Sequence, residues 1–143
     1  GSKIEFNLRK EKKIQEMILV TSKNHRNKTL KDLIQKLNFS EVLIMGSIGC
    51  KIASIVRGES DIYICLSLPG QSSPKDWDFA APEAILRAAG GAITNLNNED
   101  LYYGNPNFEQ RGIIVASNNY EAHAGICEEI KEIIKKFNLY PLS

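Results

Sequence analysis

Short apolar runs alternate along this chain with segments whose apolar residues fall three and four apart. That alternation constrains the fold more than any other feature. "EMILVTS" (Glu16–Ser22), "SEVLIMG" (Ser40–Gly46) and "GIIVASN" (Gly112–Asn118) are bounded runs of strand length. "SDIYICLSL" (Ser60–Leu68) alternates Ile62, Ile64 and Leu66, which predicts a strand, and "IEFNL" (Ile4–Leu8) predicts another. Between them, "LKDLIQKL" sets Leu30, Leu33, Ile34 and Leu37 on one helical face, with Thr29 a candidate N-cap. "GCKIASIVRG" resumes helical spacing through Ile52, Ile55 and Val56 and closes at Gly58. "YEAHAGICEEIKEIIKKF" (Tyr120–Phe137) is strongly periodic, with its Lys and Glu residues on a solvated face and His123 read as surface. The pattern predicts an α/β domain, a central mixed β-sheet flanked by helices on both faces. Strand order is not legible in it.

A chain of 143 residues fits one domain with a sizeable core. Gly1-Ser2 reads as the remnant of a cleaved tag, so the domain is taken as residues 3–143, the native chain continuing upstream. The net charge of +1 argues against nucleic acid or a membrane surface as partner. Cys50, Cys65 and Cys127 are scattered and odd in number, which points to reduced thiols in a cytoplasmic protein. No run approaches the roughly 18 apolar residues of a membrane span.

Chemistry concentrates in three stretches. In "PKDWDFAAPEAILRAAGGA" (Pro74–Ala92), Asp76 and Asp78 stand at the head of an alanine-rich helix. There a carboxylate suits the positive end of the helix dipole and can cap free amides, and either acid could serve. Trp77 would be core or a lid over the site. Pro82 falls close enough to the start to be tolerated, and Gly90-Gly91 supplies the stop. "MGSIGCK" (Met45–Lys51) leaves a strand through a glycine turn and opens a helix. It reads either as a tight turn or as an anion site of exposed amides reinforced by Lys51. It is neither GxGxxG nor a Walker A loop. "TSKNHRN" (Thr21–Asn27) puts His25 and Arg26 in a polar loop at a strand end, solvated or in contact with a ligand. No HExxH, nucleophile elbow or His/Cys cluster is present. Magnesium favours several hard oxygen ligands, and one well-placed Asp is half a site.

"WDFAAPEAILRAAGGAIT" resembles the C-terminal signature of the inositol monophosphatase superfamily. "GSIGCKIASIVRGESDIYI" resembles that family's upstream block, and "TSKNHRN" resembles the loop of its 3′(2′),5′-bisphosphate nucleotidase branch. The likeness runs from about Gln15 to Phe137. It implies the C-terminal half of an inositol-monophosphatase-like sugar phosphatase fold. It also implies a magnesium-dependent, lithium-sensitive phosphatase that converts adenosine 3′,5′-bisphosphate to AMP. By the same resemblance Asp78 binds a catalytic metal, and Asp76 stays a cap or surface residue. Ser22 and His25 contact the nucleotide, as do Gly46, Ser47, Gly49 and Lys51. The family's metal-binding glutamate and DPxDGT-type motif are missing from the sequence. The implied partner is therefore an N-terminal metal-binding domain of the same protein. This chain alone is expected to be inactive, and its exposed apolar surface could drive self-association. An inositol monophosphatase, a fructose or sedoheptulose bisphosphatase relative and a non-catalytic binding domain are the alternatives.

Overall fold

The structure is a computed structural model that describes residues 12–22, 28–67, 74–110 and 112–139. The expected strand Ile4–Leu8 lies outside these residues, as does His25. Five strands form one sheet: β1 (Ile18–Ser22), β2 (Glu41–Met45), β3 (Ile62–Ser67), β4 (Ala92–Asn95) and β5 (Gly112–Ser117). Their order across the sheet is β2-β1-β3-β5-β4. β1 pairs in parallel with both β2 and β3, while β5 runs antiparallel to its neighbours β3 and β4. The expected mixed sheet is present.

Four helices cover it: α1 (Lys28–Leu37), α2 (Ile48–Val56), α3 (Asp76–Ala88) and α4 (Tyr120–Phe137). α1 and α4 pack on one face and α2 and α3 on the other. The two-residue strand period divides the core accordingly. Leu19, Ile62, Ile64 and Val115 meet Leu33, Leu37, Ile130 and Ile134 on the first face. Val20, Tyr63, Ile93 and Ile114 meet Ile52, Ile55, Phe79 and Leu86 on the second. Each such side chain contributes about 1.5–3 kcal/mol by leaving water. Alternation in β3 therefore separates two buried faces rather than core from solvent.

The double glycine ends α3 in a Schellman motif. Gly90 adopts φ +93°, and its N–H donates to the Arg87 carbonyl at 3.0 Å. The Gly91 N–H donates to the Leu86 carbonyl at 2.9 Å. A Cβ at Gly91 would lie 2.4 Å from the Ser117 carbonyl oxygen and 2.6 Å from Leu86 Cδ1. Only glycine lets α3 turn into β4 so close to β5.

Three local expectations are corrected. α1 begins at Lys28, so Thr29 is its second residue rather than its cap. Pro82 is the seventh residue of α3, beyond the first turn, and it withholds the N–H that would serve the Asp78 carbonyl. His123 is buried, at 1% exposure, because α4 turns His123, Ile126, Cys127, Ile130 and Ile134 inward together. Its Nε2 lies 2.7 Å from Thr94 Oγ1 and its Nδ1 2.6 Å from Ser117 Oγ. Burial, with a smaller push from Arg87, lowers its pKa to about 4.

Candidate functional site

The strands β1, β2 and β3 run parallel, so their carboxyl ends share one edge of the sheet. Open α/β sheets receive ligands at such an edge. Ser22 ends β1 and pairs in register with Met45, which ends β2 just before Gly46. The turn then enters α2 with Ser47 as N-cap, its Oγ accepting from the Cys50 N–H at 3.1 Å. Gly46 and Gly49 are exposed, and a Cβ at Gly46 would meet nothing within 4 Å. The fold itself does not demand a glycine there.

Lys51 points inward. It is 2% exposed, and its Nζ donates to the Gly46 carbonyl at 2.7 Å, bracing the turn from beneath. The same ammonium lies 5.1 Å from the centroid of the Tyr63 ring. Burial lowers its pKa, opposed by the Cys65 and Cys50 thiols. Tyr63 is buried beneath the site. Burial raises its pKa well above the ordinary value, Cys65 and Asp78 push the same way, and a hydrogen bond with Ser22 pulls it down. Burial likewise raises the Cys65 pKa, against hydrogen bonds with Tyr63 and Ser67 and the charge of Lys51. Tyr63 thus gathers Ser22, Lys51, Cys65 and Asp78. Sequence reasoning missed Tyr63 and Cys65, although both occupy the β3 positions that alternate with Ile62, Ile64 and Leu66.

The two acids of α3 divide their work. Asp78 is the third residue of the helix, and its Oδ2 accepts from the Lys75 N–H at 2.8 Å. Its Oδ1 accepts no hydrogen bond among the described residues. Asp76 is not a cap. Its Oδ1 accepts from Gln110 Nε2 and its Oδ2 from the Gly104 N–H, both at 2.7 Å, which ties the 102–110 loop to the helix start. The loop is fastened twice more, by the Gln110 N–H to the Pro74 carbonyl at 2.8 Å and by Lys75 Nζ to Glu109 at 3.1 Å. Trp77, between the acids, is neither core nor closed over the site. It is 64% exposed, with the Phe108 ring 6.2 Å away. A cleft of about 490 Å³ beside the same loop, lined by Asn95, Tyr102, Asn105 and Gln110 among others, holds none of the sequence-predicted residues.

The structure thus brings Ser22, Lys51 and Asp78 around Tyr63, with Gly46, Ser47 and Gly49 on the adjoining turn. Among the described residues no group of three or more His, Cys, Asp or Glu side chains is placed to hold a metal ion. Among the described residues, one oxygen of the Asp78 carboxylate accepts no hydrogen bond. No helix among the described residues is long and apolar enough to cross a membrane.

The sequence and the fold both have counterparts among known proteins. Residues 3–135 match the inositol monophosphatase family, and the chain belongs to it. Among its relatives is the 3′(2′),5′-bisphosphate nucleotidase 1 of Rattus norvegicus, 34% identical over 120 residues, which are 82% of this chain and 38% of that protein. The 3′(2′),5′-bisphosphate nucleotidase CysQ of Buchnera aphidicola is 35% identical over 86 residues, 60% of this chain and 30% of its own. The chain therefore spans well under half the length of these relatives. The fold is shared with the inositol monophosphate-bound SaIMPase-II, at TM-score 0.66 and 19% identity over 91% of this chain and 47% of that one. It is shared also with the Thermotoga maritima IMPase, at TM-score 0.61 and 18% identity over 87% and 44%.

Proposed function

We propose that this chain is the C-terminal part of a cytoplasmic, magnesium-dependent phosphatase that removes the 3′-phosphate of adenosine 3′,5′-bisphosphate to leave AMP. The observation that carries the reading is the similarity to a 3′(2′),5′-bisphosphate nucleotidase across 82% of the chain. The site's geometry agrees with it. The open turn at Gly46, Ser47 and Gly49 lets a phosphate approach bare backbone at the start of α2. Lys51 supports that turn from below rather than reaching into solvent. Ser22 and His25 would contact the nucleotide from the loop after β1. Asp78 would hold a metal ion through the oxygen its cap leaves free.

One carboxylate oxygen does not fit the ligand set of magnesium, which takes near-octahedral oxygen coordination. The remaining ligands would come from an N-terminal metal-binding domain. An apolar stripe on α3 offers that domain a docking face, since Ala81, Ala84, Ile85 and Ala88 are all exposed. The isolated chain is then expected to be inactive and prone to self-association. The test is phosphate release from adenosine 3′,5′-bisphosphate with magnesium, by the isolated chain and by the protein carrying both domains. Only the latter should turn over. Enzyme-like rates from the isolated chain would refute the incomplete site, and a strong preference of the larger protein for inositol monophosphate would refute the nucleotidase reading.

A further inference from the structure

Two consecutive non-glycine residues, Asn107 and Phe108, hold left-handed backbone, at φ +58° and +55°. Asparagine visits that region readily; a bulky aromatic does so rarely and at an energetic cost. The conformation gives Phe108 no buried home, for the residue is 54% exposed. It sets the ring against Trp77 instead, with centroids 6.2 Å apart and planes 49° from one another. The mounting is stiff. Lys75 and Glu109 form a backbone bridge and an ion pair, Gln110 binds both the Pro74 carbonyl and Asp76, and Gly104 binds Asp76. Each of these bonds fixes the Phe108 loop relative to the helix turn that carries Trp77. Strained backbone held in place by its surroundings concentrates at functional sites. Here its product is a pair of solvent-facing aromatic rings, of which Trp77 stands on the same first helix turn as Asp78.

We infer that Trp77 and Phe108 form a stacking platform for the planar base of the nucleotide. The inference rests on the nucleotidase reading for the identity of that ligand. A π-face accepts any base, and both rings reach solvent, Trp77 at 64% and Phe108 at 54% exposure. A phosphate substrate without a base would gain nothing from it.

The test uses the protein carrying both domains and the variants Trp77→Ala, Phe108→Ala and Trp77→Phe. KM and kcat are measured with adenosine 3′,5′-bisphosphate and with its base-free analogue, 1-deoxyribose 3,5-bisphosphate. Equilibrium dialysis follows binding of the same two compounds. Each alanine variant should raise KM and Kd about tenfold for the nucleotide, the range of one stacked base. kcat and all constants for the base-free compound should stay near wild type, and Trp77→Phe should recover most of the loss. Equal losses for the two compounds, or no loss for either, would overturn the platform while leaving the nucleotidase reading intact. Base-dependent binding lost in the alanine variants of a protein that does not hydrolyse the nucleotide would uphold the platform and refute the nucleotidase reading.

Discussion

Acid should unlatch α4 from the sheet through one histidine. His123 is buried, with one ring nitrogen against Thr94 and the other against Ser117. A neutral imidazole carries one N–H and one lone pair, and hydroxyls can serve both. An imidazolium would need two acceptors and would carry its charge into a dry core. Its pKa accordingly falls to about 4 from an ordinary 6.5, with burial the main cause. The unfolded chain thus binds the proton first on acidification. His123 contributes its full stability above pH 6.5, loses it progressively between 6.5 and 4, and has none left to lose below 4. At about 1.4 kcal/mol per pH unit the gap comes to about 3 kcal/mol, a large share of a typical domain's stability. The assay is urea denaturation at pH 7 and pH 4 for the wild type and for His123→Gln, which hydrogen-bonds without titrating. Carboxylates titrate in both proteins, so the difference between their losses isolates the histidine. The chain has two histidines, and the ring resonance missing from the variant identifies His123 for a direct NMR titration. Equal acid losses in the two proteins, or a measured pKa near 6.5, would refute the reasoning.

Gly91→Ala should lower stability by about 3 kcal/mol at unchanged m-value, because the new methyl meets the Ser117 backbone, which cannot swing aside, as well as the buried Leu86 side chain. For Asp78, the cap and the metal role should separate. Asp78→Asn keeps an acceptor for the Lys75 N–H and should cost about 0.5 kcal/mol, the loss of a charge at the helix start, while Asp78→Ala should cost about 1 kcal/mol or more. Both should abolish magnesium-dependent turnover in the protein carrying both domains, and near-normal turnover in Asp78→Asn would remove Asp78 from the site.

The fold was legible where local chemistry decides it. Tyr120–Phe137 shows its period and its bounds, Gly90-Gly91 marks a helix end, and Ile62, Ile64 and Leu66 mark a strand. Strand order was not, since β5 inserts between β3 and β4 through contacts that are distant in sequence. The site was legible only in part for the same reason. Asp76 and Asp78 are equivalent as helix-start acids until Gln110 and Gly104, far along the chain, claim Asp76. Lys51 looks like a surface cation in sequence, and only the Tyr63 ring and the Gly46 carbonyl draw it inward. His123 was available to a stricter reading, because it falls in step with Ile126, Cys127 and Ile130.

The place of β5 has a consequence for biosynthesis. Among the described residues it is the last strand, yet it lies inside the sheet, between two strands made before it. A ribosome that has delivered residues 18–95 has supplied Ser22, Gly46, Ser47, Lys51, Tyr63 and Asp78, but β4 still lacks its partner and β3 presents an open apolar edge. The nascent domain must keep that edge from foreign strands until Gly112–Ser117 emerges. Premature termination between β4 and β5 would therefore yield an aggregation-prone product rather than a smaller working one.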